Sequence, residues 1–231
     1  MLVPATGGII EAMATPGSGI LIVFEGIDGV GKSTLIARLA AALTAAGEVV
    51  VESREPTDGE HGRRIRRSAV EGRMSLADEL AAFVADRREH VEQLLAPALA
   101  RGEVVLLDRY FYSTIAYQGA RGADVAELER AMRGQFPIPD ATLLLDAAPA
   151  VTLGRIAESR AAAPDEFERL EALERIRAIF LDQCARAEEM IRIDAIGEPD
   201  EVYRRVATAL ASGVLAAKRP GRGLDTKTLG A

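Results

Sequence analysis

The sequence predicts an α/β fold in which a parallel sheet is covered by helices on both faces. Short apolar, β-branched runs alternate along the chain with longer segments of helical period, the pattern of right-handed βαβ crossovers. The first run, residues 20–24, leads directly into Gly26-Ile27-Asp28-Gly29-Val30-Gly31-Lys32-Ser33, which fits G-x-x-x-x-G-K-[ST]. Leu35, Leu39 and Leu43 then recur at helical spacing, so the glycine-rich stretch sits between a strand and a helix.

Each element follows in order. Residues 20–24 read as the first strand and 32–46 as the first helix, stopped by Gly47. Residues 49–52 form a second strand that opens into the polar, turn-rich stretch Ser53-Arg54-Glu55-Pro56-Thr57-Asp58-Gly59. A helix over 63–70 carries Arg63, Arg64, Arg66 and Arg67, either an anion-binding face or a solvated one. Ser75 caps the next helix, with Asp78 echoing a capping box, and that helix runs over 76–99, bending or ending around Pro97.

Residues 104–107 are a continuous apolar run, as expected for a buried parallel strand, and end at Asp108. Helices follow over 112–119 and 124–134, the second capped by Asp124. Residues 142–145 repeat the buried-strand pattern and end at Asp146, and Pro149 starts a helix. A helix over 167–187, a strand over 191–193 and a helix over 199–210 complete the pattern. Residues 1–18 read as a loose extension and 212–231 as a disordered tail, leaving 19–211 as the folded domain.

Composition narrows the function. A chain of 231 residues suits one sizeable α/β domain, and a net charge of −7 argues against a nucleic-acid binder. The single cysteine, Cys184, allows no internal disulfide and indicates a reducing compartment; beside Ile179, Phe180 and Leu181 it reads as a small buried apolar residue. No apolar run approaches the length of a membrane span.

Glycines allow a backbone curl in which successive N–H groups converge on an anion, and the helix starting near Lys32 directs its positive end at the same point. The anion that this spacing suits is the phosphate chain of a nucleoside triphosphate. Lys32 supplies an ammonium for the β- and γ-phosphates, and Ser33 a hydroxyl for Mg²⁺. In parallel sheets ligands bind at the carboxyl ends of strands. The P-loop, the 53–59 loop, Asp108-Arg109-Tyr110 and Asp146 all follow strands, so they are expected on one rim.

Phe24-Glu25-Gly26-Ile27-Asp28-Gly29-Val30-Gly31-Lys32-Ser33-Thr34 resembles the opening of thymidylate kinases. Further stretches are similar to that family in the same order: Arg54-Glu55-Pro56, Phe83-x-x-x-Arg87, Asp108-Arg109-Tyr110 with Ser113 and Ala116-Tyr117-Gln118-Gly119, and Phe167-Glu168 followed by Arg175-Ile176-Arg177. The resemblance spans roughly residues 20–210. It implies a P-loop NTPase with a five-stranded parallel sheet flanked by helices on both faces and a short lid at about 155–166. It also implies a cytoplasmic homodimer that transfers the γ-phosphoryl of ATP to dTMP with Mg²⁺.

The resemblance also implies roles for individual residues. The stretch from Gly26 through Thr34 would hold ATP, with Asp28 meeting the acceptor sugar's 3′-hydroxyl and lying close to Mg²⁺, as Asp108 would. Phe83 would stack on the base and Arg87 would bond its edge. Arg109 would hold the acceptor phosphate, which the loop of Arg54 approaches; Tyr117 would face the 2′ position, Ser113 and Thr114 would lie near the base, and Gln118 would bind the substrate. Arginines suit two anionic substrates because their planar fork grips phosphate bidentately. His61 and His90 fall in no motif that would orient them for catalysis and read as surface or structural residues.

Two departures stand out. The family places a catalytic arginine in the P-loop or in the lid; here the loop offers Val30, leaving Arg155 or Arg160 of the lid, with Glu166 where many relatives have arginine. Thr57-Asp58-Gly59 replaces a commoner Gly-Gly beside the acceptor. The rivals are a kinase for another nucleoside monophosphate or a nucleoside, with Glu25 or Asp108 as base, and an ATP-dependent P-loop switch. A GTPase switch is disfavoured because the chain has no asparagine for a guanine-reading motif.

Overall fold

The computed structural model describes residues 19–159 and 166–231. The extension expected at 1–18, the centre of the expected lid and Arg160 lie outside the described residues. Five strands, β1 (Ile20–Glu25), β2 (Val50–Arg54), β3 (Val104–Asp108), β4 (Ala141–Asp146) and β5 (Met190–Asp194), form one parallel sheet in the order β2-β3-β1-β4-β5. β1 is buried along its whole length, which explains the unbroken apolar run over residues 20–24 ahead of the buried Glu25: helices cover both faces and leave no solvent-facing position in that run.

Ten helices accompany the sheet among the described residues: α1 (Lys32–Ala45), α2 (Glu60–Glu71), α3 (Leu76–His90), α4 (Ala96–Ala100), α5 (Phe111–Gly119), α6 (Val125–Arg133), α7 (Pro149–Ser159), α8 (Glu166–Arg186), α9 (Pro199–Ser212) and α10 (Val214–Lys218). The expected caps form: Ser75 Oγ accepts from the Asp78 N–H at 3.1 Å, and Asp124 accepts from the Glu127 N–H at 2.9 Å.

The register aligns the strand ends. Phe24 pairs with Asp108 on one side and Leu143 on the other, and Arg54 also pairs with Asp108. The loops that follow β1, β2, β3 and β4 therefore leave the sheet at one height, at its carboxyl edge.

Two expectations need correction. The helix expected over 76–99 ends at His90, passes through a π-helical turn (Val91–Leu95), and resumes as α4. Proline at position 97 cannot donate to the preceding turn, and the wider turn just before it accommodates that loss. The tail expected to be disordered instead packs on the domain. Leu215, Leu224 and Leu229 are buried, Tyr203 donates its hydroxyl to the Leu229 carbonyl at 2.6 Å, and Arg219 and Arg222 each bond Glu48 at 3.0 Å. These leucines follow no helical or strand period, so composition masked them in the sequence.

Candidate active site

The loop after β1 forms the centre. Gly26, Gly29 and Gly31 all adopt positive φ, and Gly31 is the left-handed N-cap of α1. At Gly26 a side chain is also excluded by space, since a Cβ there would lie 2.5 Å from the Leu145 carbonyl oxygen. Lys32 is buried, its ammonium donating to the carbonyls of Gly26 at 3.0 Å and Ile27 at 3.2 Å. Burial and the neighbouring Arg109 lower its pKa to about 8, against the pull of Asp108, Asp28 and Glu25. Ser33 Oγ donates to Asp108 Oδ2 at 3.2 Å, while the buried Asp108 Oδ1 has no hydrogen-bond partner among the described residues.

Arg109 adjoins this loop. It is the one non-glycine residue with positive φ among the described residues, at 69°, and its N–H bonds the Phe24 carbonyl at 3.0 Å. One guanidinium nitrogen meets Asp28 at 2.7 Å and Tyr117 Oη at 3.3 Å, and the other meets Ser113 Oγ at 2.9 Å. Beneath it Glu25 is fully buried and accepts from the Tyr110 N–H, the Ser113 N–H and Ser113 Oγ at 2.6–3.1 Å. Burial raises the Glu25 carboxyl above its ordinary pKa, opposed by Arg109 and these bonds.

Arg109, Asp28, Ser113 and Tyr117 open onto a cavity of about 300 Å³, also lined by Phe83, Arg87, Thr114 and Gln118. A second cavity of about 280 Å³ lies across the P-loop, between Gly29, Val30, Gly31 and Thr34 on one side and Arg155, Ala195 and Pro199 on the other. The loop thus separates two cavities. Known proteins are similar to this chain in sequence. The family model described as Thymidylate kinase matches residues 24–206.

The chain belongs to the thymidylate kinase family.

Thymidylate kinase from Xanthomonas campestris pv. campestris (strain B100) is 47% identical over 207 residues, covering 90% of this chain and 89% of that protein. That from Akkermansia muciniphila is 50% identical over 194 residues, covering 84% of this chain and 92% of its own length. The thymidylate kinase family is therefore matched across both cavities and the P-loop, while most of the packed tail lies beyond the family model.

The structure brings together most residues singled out in the sequence. Phe83, Arg87, Arg109, Ser113, Thr114, Tyr117 and Gln118 share one cavity, and Asp28 reaches it from the P-loop. Arg155 lines the other and bonds the Ala195 carbonyl at 3.3 Å. Arg54 is placed elsewhere. It lines a neighbouring cavity of about 520 Å³ beside Ser33 and Asp108, and it bonds both oxygens of Asp58 at 2.9 and 3.0 Å.

Sequence reading missed Arg73, gave Glu55 no place in the 300 Å³ cavity whose wall both form, and left Arg66 unresolved. Arg66 lines that cavity and also meets Asp58 at 2.9 Å, whereas Arg63, Arg64 and Arg67 are exposed. The helical period of α2 held the signal, because Arg66 lies four residues after the buried Gly62 and three before Ala69, which lines the same cavity. Glu25 is fully engaged as an acceptor and is not placed to act as a base. His61 lies 3.5 Å from Glu89 outside both cavities, and His90 is buried.

Proposed function

We propose that the chain transfers the γ-phosphoryl group of ATP to the 5′-phosphate of dTMP, giving dTDP and ADP. The observation that carries this reading is Arg109, whose guanidinium bonds Asp28 of the P-loop and Ser113 and Tyr117 of the 300 Å³ cavity. A cation that ties the P-loop to the wall of this cavity stands where two anionic substrates must meet for in-line transfer. The donor phosphates rest on the 26–33 backbone and Lys32, with ATP extending into the cavity of Arg155.

On the acceptor side, Arg109 grips the 5′-phosphate, Phe83 stacks on the base, Arg87 donates to its edge, and Tyr117 lies against the 2′ position. Ser113, Thr114 and Gln118 complete the wall near the base. Asp28, which shares Arg109 with the acceptor cavity, meets the sugar 3′-hydroxyl. The attacking phosphate oxygen is already anionic, so positioning and charge neutralisation suffice without a general base.

The orphaned Asp108 Oδ1 and the Ser33 hydroxyl beside it fit Mg²⁺. Asp28 of the same loop supplies a further carboxylate. Bound there, the ion neutralises phosphate charge. Arg155 is the arginine within the described residues for developing charge, and Arg160 is the second candidate.

The reading extends to a homodimer working on cytoplasmic nucleotide pools. No helix among the described residues is long and apolar enough to cross a membrane. ADP release, measured with ATP and Mg²⁺ against a panel of nucleoside monophosphates and nucleosides, tests the activity. A preference for dTMP is expected; turnover with another monophosphate but not dTMP would overturn the acceptor assignment. Sedimentation tests the dimer.

A further inference from the structure

We propose that His90 is a positioning residue for the acceptor base, acting through Glu55 on Arg87. The inference rests on the reading of Arg87 as the donor to the base edge.

The three side chains form one buried chain of bonds. Arg87 is 1% exposed and directs Nε to Glu55 Oε2 at 2.8 Å. Its Nη2 reaches the same oxygen at 2.7 Å and Thr114 Oγ1 at 3.0 Å. The remaining nitrogen, Nη1, touches only the soft acceptor Met132 Sδ, at 3.4 Å, among the described residues. Of the five guanidinium N–H groups, those on Nη1 are therefore the ones left for a base carbonyl. Which nitrogen faces the cavity depends on how Glu55 is turned.

His90 sets that turn. Its Nδ1 lies 3.0 Å from Glu55 Oε1, the oxygen that Arg87 does not use. A carboxylate oxygen only accepts, so Nδ1 carries a proton toward Glu55, while Nε2 lies 2.8 Å from Ser53 Oγ and shares a hydrogen bond with that hydroxyl. Ser53 lies on β2, so the imidazole fixes the Glu55 carboxylate to the sheet. His90 is also the last residue of α3 before the π-helical turn, where the helical register changes. The cavity lining includes Glu55 and Arg87 but not His90, which acts at one remove. Without the Nδ1–H, Glu55 loses a charge-assisted bond in a buried setting and is free to rotate, carrying Arg87 with it.

The test is steady-state kinetics with dTMP and ATP varied in turn. His90→Leu is expected to raise the KM for dTMP about tenfold, the effect of losing a buried bond to a charged group. Its kcat and its KM for ATP should stay within about twofold of the parent values. His90→Asn, which keeps an N–H near the Nδ1 position, is expected to recover most of the loss, whereas His90→Gln is not. A dTMP KM unchanged in His90→Leu, or one that rises in step with the ATP KM, would overturn the proposal. If His90→Leu does not fold, equal dTMP KM values for the Asn and Gln variants would overturn it. Arg87→Gln separates the two levels: a dTMP KM unmoved there sinks the reading of Arg87 itself, while a large rise there with none at His90 sinks only the positioning role.

Discussion

Ser33 and Asp108 meet at 3.2 Å across the carboxyl ends of the paired strands β1 and β3. The contact ties the helix end of the P-loop to the acid that closes β3 and leaves Asp108 Oδ1 without a hydrogen-bond partner among the described residues. Asp108→Asn is expected to lower kcat by about 10²–10³ and to raise the Mg²⁺ concentration needed for half-maximal rate. A Mg²⁺ titration of ADP formation checks this; a variant with the parent's metal requirement would remove Asp108 from the metal site.

Lys32 titrates within reach of ordinary assays, because burial and Arg109 lower its pKa to about 8. A nucleotide's negative charge favours the protonated form, so the bound pKa lies above the free one and binding takes up a proton. ATP affinity should therefore weaken as pH rises through about 8. Calorimetry in two buffers of different ionisation enthalpy measures the proton uptake, and Lys32→Met should abolish the pH dependence along with most of the affinity. An ATP affinity flat from pH 7 to pH 9 would contradict the assignment.

Gly26 is fixed both by its φ of 135° and by the Leu145 carbonyl 2.5 Å from where a Cβ would stand. Gly26→Ala is expected to cost about 3 kcal/mol of stability and to impair ATP binding, since the loop must shift to relieve the overlap. Thermal melts with and without ATP report both effects. A variant of parental stability would mean that β4 yields freely at that point.

The packed tail should register as stability. Leu215 and Leu229 are fully buried, so Leu215→Ala or Leu229→Ala is expected to cost about 2–4 kcal/mol. Burial alone would raise the Glu48 carboxyl, but Arg219 and Arg222 outweigh it and hold its pKa below the ordinary value of 4.5. The unfolded chain has the higher pKa, so this contribution is present above about pH 4.5 and is lost as pH falls through the folded value. Denaturant melts of the parent and Glu48→Gln should converge in acid; parallel curves at every pH would remove the pair from the stability of the tail.

Legibility followed the range of the interactions. The strands were visible because burial on both faces demands unbroken apolar runs, as in β1, and the P-loop because its glycines and lysine are consecutive. Arg87, Arg109 and Tyr117 could be singled out because their motifs lie on regular helical spacing or at a strand end, and the fold lines one cavity with all three. Glu55, Arg73 and the buried His90 were not legible as a group, since Glu55 and Arg73 meet only on one cavity wall and His90 joins them only through Glu55. Arg54 was expected to reach toward the acceptor; Asp58, four residues along, holds it aside. The tail failed for the opposite reason, because its glycines and basic residues outweighed three aperiodic leucines.

The strand order has a consequence for how this molecule is made. β1 is the middle strand of the sheet, yet both of its neighbours come much later in the chain, Ile20 pairing with Val104 and Ile22 with Ala141. During synthesis the most apolar strand therefore emerges first and waits unpaired, its backbone donors and acceptors open on two edges, until β3 is complete. The placement that gives the phosphate loop its central position thus makes the nascent chain prone to association at its first strand, and a client for whatever shields apolar segments at the ribosome.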